Sequence, residues 1–120
     1  MNPKILVVDD EENMLTLLSR VLGKEGYQVT GVPTGEEALI MAGKKKFDLA
    51  IVDVLMPEMD GLAVLIKLKK IDPELPVILM TAFPSWEKEK EARAAGCLDF
   101  LPKPLDLKQI KTLIKKNIKI

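Results

Sequence analysis

Short apolar runs that alternate five times with longer helical patterns predict an α/β domain with a parallel sheet and helices on both faces. Two details strengthen that reading. The runs Ile5-Leu6-Val7-Val8 and Leu49-Ala50-Ile51-Val52 look like buried strands, and each ends in carboxylates, Asp9-Asp10 and Asp53. In an open parallel sheet, ligands bind beyond the carboxyl ends of the strands, where the strand order reverses. Charged side chains at such strand ends need a reason, because an unpaired buried carboxylate is costly.

The first strand is predicted over Lys4–Asp9. Met14, Leu15, Leu17, Leu18, Val21 and Leu22 then recur at helical spacing, with Gly23 and Gly26 bracketing the helix end. Gln28–Val32 alternates polar and apolar residues, as a strand near a sheet edge does. Thr34 and Glu37 form a capping box for a second helix carrying Ala38, Leu39, Met41 and Ala42. Gly43 and the Lys44-Lys45-Lys46 run are expected to end it, the cations suiting a helix C-terminus. A third strand spans Phe47–Asp53, followed by a loop punctuated by Pro57 and Gly61. Leu62, Leu65, Ile66 and Leu68 mark a third helix that stops before Pro73.

Pro76–Met80 reads as a fourth strand. A fourth helix begins near Pro84 or Ser85 and stops at Gly96. Its segment Glu87-Lys88-Glu89-Lys90-Glu91 is wholly charged, so few side chains can anchor it, and it is expected to shift readily. Trp86 is read as a partner contact, with packing on its own helix as the alternative. Cys97–Leu101 is the fifth strand, with Cys97 as inert core. Asp106 caps a fifth helix with Gln109 at the reciprocal position, and Leu105 and Ile110 are spaced for a hydrophobic staple. Leu107, Ile110, Leu113 and Ile114 form its buried stripe. Ile118 and Ile120 fall near the end of the sequence, which suggests a fifth helix continuing into a longer protein, with a domain that stands alone and acts by protein contact as the alternative.

Composition narrows the function. A chain of 120 residues has room for one core and one site. Lys+Arg and Asp+Glu both number 18, which argues against a general nucleic-acid binder. The absence of histidine excludes imidazole catalysis and histidine metal ligation. The single cysteine fits a reducing cytosol. No signal-peptide pattern opens the chain, and no apolar stretch is long enough to span a bilayer. The expectation is a soluble cytoplasmic domain.

Asp9, Asp10, Asp53 and Thr81 each sit at or just past the end of a predicted strand, and Lys103 follows the fifth. All five can face one crevice. Three carboxylates without histidine or paired cysteines make a hard-oxygen site, which favours Mg²⁺. Lys103 supplies a point charge and Thr81 a hydroxyl suited to phosphoryl oxygens. The chemistry this permits is in-line transfer of a phosphoryl group onto a carboxylate, with Asp53 as nucleophile and Asp9 and Asp10 holding the metal. Taken singly, Asp10 could be a helix cap, Thr81 structural and Phe100 core; only the constellation promotes them.

The segments Val7-Val8-Asp9-Asp10-Glu11, Asp53-Val54-Leu55-Met56-Pro57 with Asp60-Gly61, Leu79-Met80-Thr81-Ala82, and Phe100 with Lys103-Pro104 resemble the receiver domain of bacterial two-component response regulators, the CheY-like superfamily. The run Asp99-Phe100-Leu101-Pro102-Lys103-Pro104 looks most like receivers of the NtrC type. The resemblance covers residues 1–120 as one receiver domain and implies a flavodoxin-like (βα)5 fold of strand order 2-1-3-4-5. It implies that Asp53 accepts a phosphoryl group from a sensor histidine kinase or phosphotransfer protein. Asp10, Asp53 and the Leu55 backbone carbonyl would ligate Mg²⁺, with Asp9 assisting through metal-bound water. Lys103 would contact the phosphoryl group, and Lys103-Pro104 would be a cis peptide. Thr81 would move to the phosphoryl oxygen while Phe100 turns inward, reshaping the face of helix four, strand five and helix five, through which a homodimer could form. The result would be a switch that controls an output such as transcription, not a turnover enzyme, without direct binding to nucleic acid or membrane.

Leu55 and Phe83 depart from the commonest family pattern; neither can orient a water by hydrogen bonding, so slow self-dephosphorylation is expected. Two other classes compete. A receiver-like module working without phosphorylation would lack one of the acids, the threonine or the lysine, and none is missing. An aspartyl phosphatase would carry its nucleophile after the first strand with another Asp two residues on, which Asp9-Asp10-Glu11 does not match. A flavin carrier would need a Ser/Thr/Gly-rich phosphate loop after the first strand, and none is there.

Overall fold

The computed structural model of the chain describes residues 2–56 and 59–118. Pro57 and Ile120, both singled out from the sequence, lie outside the described residues. The elements alternate as β1 (Lys4–Val8), α1 (Glu12–Lys24), β2 (Gln28–Val32), α2 (Gly35–Lys44), β3 (Leu49–Asp53), α3 (Gly61–Ile71), β4 (Val77–Thr81), α4 (Trp86–Ala94), β5 (Asp99–Pro102) and α5 (Leu107–Asn117). The five strands are all parallel in the order β2-β1-β3-β4-β5. The order reverses between β1 and β3, where Val8 pairs with Val52. Asp9 and Asp53 therefore leave neighbouring strands at the switch point.

The period-2 alternation of strand side chains splits the core into two layers. Ile5, Val7, Leu49, Ile51, Ile78 and Met80 pack with Leu18 and Leu22 of α1 and Ile110 and Ile114 of α5. Leu6, Val8, Ala50, Val52, Val77 and Leu79 face the other way, onto Ala38 of α2, Val64, Leu65 and Leu68 of α3, and Ala92 of α4. Every residue of β3 and β4 is buried, which explains why those runs show no polar alternation.

Local chemistry sets the helix ends. Thr34, Asp60, Ser85 and Asp106 each accept a backbone N–H from the first turn of α2, α3, α4 and α5. The two capping boxes form on this side only; among the described residues Glu37 and Gln109 return no bond. Helices α1 and α4 end in Schellman motifs at Gly26 (φ +94°) and Gly96 (φ +95°), glycines that adopt the left-handed conformation without a Cβ penalty. At the second motif the Cys97 N–H donates to the Ala92 carbonyl and Gly96 to Arg93. That turn consumes Cys97, so β5 starts at Asp99 rather than Cys97, and Cys97 is half-buried rather than core. Helix α2 ends at Lys44 with Lys45 as its C-cap, within the Gly43 and lysine segment expected to stop it. The predicted staple residue Leu105 packs into the same cluster as Ile110, and Ile118 caps α5 as a buried member of that cluster.

The α4 helix is the least anchored. Ala92 is its one buried residue, and Trp86 stands 71% exposed with the Lys90 ammonium 4.9 Å from its ring centroid. What ties its end down is polar: Arg93 donates to Glu89 at 2.9 Å and to Asp99 of β5 at 3.0 Å. Exposed ion pairs of this kind add little. Backbone amides of residues 86–95 are expected to exchange with deuterium at least roughly tenfold faster than those of α3, which buries four side chains. Equal protection of the two helices would refute the loose attachment of α4.

Candidate functional site

The site grows from four strand ends. Asp9 follows β1, its N–H donating to the Val32 carbonyl, and its side chain is fully buried. Asp10 is next in the chain and exposed. Asp53 is the last residue of β3 and Thr81 the last of β4, both buried. Lys103 comes directly after β5, where its N–H donates to the Thr81 carbonyl at 2.8 Å and the Lys103-Pro104 peptide is cis, as expected.

One oxygen from each of Asp9, Asp10 and Asp53 lies within 4.8 Å of the other two. The Lys103 ammonium, on a side chain only 9% exposed, reaches Asp9 Oδ2 at 2.8 Å, Glu11 Oε1 at 3.1 Å and Asp53 Oδ2 at 3.3 Å. The other Asp9 oxygen accepts the Glu11 N–H at 2.8 Å, and Asp53 Oδ1 accepts the Leu55 N–H at 3.3 Å. These bonds fix both carboxylates at the turns where their strands end.

Charge in the cluster is unbalanced. Burial raises the Asp53 carboxyl pKa above its ordinary value, and the neighbouring Asp9 charge raises it further; Lys103 and the Leu55 N–H offset only part of this. Burial also acts to lower the Lys103 pKa, but hydrogen bonds to Asp9 and Glu11 and the charges of Asp53 and Asp9 overcome it, and the ammonium is held well above its usual value. One firmly protonated lysine thus faces more carboxylates than it can neutralise. The donor set is all oxygen and carries excess negative charge, which suits a hard divalent cation.

Thr81 Oγ1 accepts the Phe83 N–H at 3.1 Å, so the hydroxyl is engaged in a local turn at the head of the β4–α4 loop. Phe100 is buried within the α2–α3–α4 core layer. The ring expected to turn inward on switching already stands inside in this conformation. Leu55 and Phe83 flank the site and are exposed, Phe83 to 72%. Asp10, Val54, Leu55, Met56 and Asp60 line an open depression of about 300 Å³ beside the carboxylates. The depression thus mixes apolar and acidic walls.

Two contributors have no assigned role in the sequence reading. Glu11 appears there only as part of a motif, yet its side chain is the third partner of Lys103. Gly61 appears as loop punctuation, yet its N–H donates to the Val54 carbonyl at 2.8 Å, and a Cβ there would stand 2.6 Å from Val54 Cα. The signal for Glu11 is its spacing, two residues after Asp9. Nothing local marks the Gly61 contact.

A doubly wound sheet of order 2-1-3-4-5 with three acids, a threonine and a lysine at its switch point defines a receiver-type signalling domain. The chain belongs to the response regulator receiver domain family, whose model matches residues 5–115. The transcriptional regulatory protein ZraR of Salmonella typhimurium is 44% identical over 114 residues, 95% of this chain and 26% of its own length. The chain thus spans about a quarter of that relative, and the likeness extends to NtrC-type regulators. Sporulation initiation phosphotransferase F of Bacillus subtilis is 38% identical over 118 residues, 98% of this chain and 95% of that protein. The beryllofluoride-activated NtrC4 receiver domain dimer superposes with a TM-score of 0.91 at 32% identity, covering 96% of this chain and 95% of the other. Among the described residues no helix is long and apolar enough to cross a membrane.

Proposed function

We propose that residues 1–120 act as a Mg²⁺-dependent phosphoacceptor switch in the cytoplasm, with Asp53 taking a phosphoryl group from the phosphohistidine of a sensor kinase or phosphotransfer protein. The observation that carries this reading is the Lys103 ammonium within reach of both Asp9 and Asp53 at the switch point. An Asp53 carboxylate oxygen attacks phosphorus as the P–N bond of the donor breaks. The imidazole leaves with the bonding pair and takes a proton, and Asp53 becomes an acyl phosphate. Lys103 then meets the phosphoryl oxygens and holds the transferred charge. Asp10, Asp53 and the Leu55 carbonyl would hold the Mg²⁺, with Asp9 assisting through metal-bound water. When bound, the cation neutralises charge that builds on the phosphoryl oxygens.

Readout follows from a hydroxyl and a ring. Thr81 turns to donate its hydroxyl proton to a phosphoryl oxygen, and Phe100 is retained in the buried position that this state favours. The population of the α4–β5–α5 face shifts accordingly. The weak anchoring of α4 supports this, and the dimeric state of the NtrC4 receiver supports a homodimer, for which we propose this face. Control of transcription through an attached output is the reading favoured by ZraR. The near-complete coverage of the sporulation phosphotransferase favours a second reading, a receiver that passes its phosphoryl group on. Balanced charge speaks against direct nucleic-acid contact by this domain.

The test adds Mg²⁺ and a small acyl phosphate, or beryllofluoride as a phosphoryl mimic, to the chain and to Asp53→Asn. Uptake of one phosphoryl group, or a conformational change, only in the unaltered chain supports the switch; no response in either supports a module that works unphosphorylated. The phosphoryl group, once on Asp53, is expected to persist for minutes or longer, because Leu55 and Phe83 have no polar atom to aim a water. Loss within seconds in buffer would refute that role for the two side chains.

A further inference from the structure

The Lys103 ammonium has three donors, and three carboxylates surround it. A phosphoryl group carried on Asp53 draws the ammonium towards itself, and so away from the other two carboxylates. Asp9 is a poor candidate to give way, being fully buried and held by the Glu11 N–H. Removing its lysine would leave an uncompensated buried charge. Glu11 is different: its side chain is 64% exposed, so returning it to water costs little. Its backbone stays fixed at the N-cap of α1, while its carboxylate makes no capping bond there. The contact to Lys103 is its one hydrogen bond as a side chain among the described residues.

We infer that Glu11 is a positioning residue that holds the Lys103 ammonium on the Asp9 side of the site at rest and releases it when a phosphoryl group arrives on Asp53. This rests on the phosphoacceptor reading above. Distances agree with such a bias: Lys103 sits closer to Asp9 and Glu11 than to Asp53. Glu11 then sets how readily the site accepts a phosphoryl group, by competing for the Lys103 ammonium.

The experiment titrates beryllofluoride at saturating Mg²⁺ into the unaltered chain, Glu11→Gln and Glu11→Asp, with chemical shifts of the site amides as readout. Gln removes the charge; Asp keeps it but draws the carboxylate back from the ammonium by one methylene. Both variants are expected to bind about two- to fivefold more tightly, the range of a partly exposed ion pair, and to lose that advantage in high salt. Tightening by Gln alone would mean a through-space charge effect and overturn the contact; unchanged or weaker binding in both would overturn it too. Failure of the unaltered chain to respond, or a response in Asp53→Asn, would instead overturn the phosphoacceptor reading on which the inference stands.

Discussion

In metal-free buffer, Asp53→Asn is expected to be more stable than the unaltered chain, although it removes a partner of Lys103. Burial raises the Asp53 pKa, and the neighbouring Asp9 charge raises it further. The substitution keeps an acceptor for the Leu55 N–H and leaves Lys103 with Asp9 and Glu11. A like-charge pair in a partly screened site, less the lost lysine contact, leaves a net gain of roughly 1–2 kcal/mol. That gain corresponds to a rise of a few degrees in Tm.

The pH dependence carries the sign of the effect. Because the folded state binds the Asp53 proton more tightly than the unfolded chain, this group's contribution to stability is fully present below the ordinary value of 3.8. It is lost as pH rises through the raised folded-state value. The gap between variant and unaltered chain should therefore be widest near neutrality and close in acid. Mg²⁺ should reverse the order, since it binds the native site and stabilises the unaltered chain by mass action. Urea melts of both proteins, with chelator and with Mg²⁺, check all of this; a less stable Asp53→Asn in chelator at neutral pH would refute the repulsion.

How far the sequence reveals this site depends on which forces are local. Asp9, Asp53 and Thr81 are legible because each interrupts or ends a buried apolar run, and the strand–helix alternation assigns those ends to one edge of the sheet. Boundaries are less legible where a turn competes with a strand. Cys97-Leu98 reads as strand from its apolar character, but the Schellman bond from Cys97 to Ala92 takes the chain first. The end of α2 is legible by contrast, because Gly43 and the lysine run mark it and the helix stops at Lys44. The Glu11 contact to Lys103 and the Arg93–Asp99 pair depend on side-chain direction in three dimensions, which periodicity does not encode. The cluster residues were recoverable because they lie at strand ends; the residues that tension the cluster were not.

Gly61→Ala is expected to damage both fold and reaction. Gly61 is the first residue of α3, and its missing side chain lets the helix start press against the Asp53–Val54 peptide. A Cβ there would meet the Asp53 carbonyl oxygen, with Val54 Cα at 2.6 Å and the Asp53 carbonyl carbon at 2.9 Å. These are backbone atoms of a buried strand end, so no flexible side chain can yield. Either α3 withdraws, breaking the Gly61 N–H bond to Val54, or the β3 end moves and takes the Asp53 carboxylate with it. Overpacking of this kind costs about 1–3 kcal/mol. A displacement approaching 1 Å at a reacting group costs up to about 10²-fold in rate. Phosphoryl uptake from an acyl phosphate is expected to fall at least roughly tenfold, even at temperatures where the variant is fully folded. Gly43→Ala is the control: with open space at its Cβ and a helical position, it should be neutral or stabilising by up to about 1 kcal/mol and leave uptake unchanged. Uptake in Gly61→Ala equal to that of Gly43→Ala would show that the α3 start does not position Asp53.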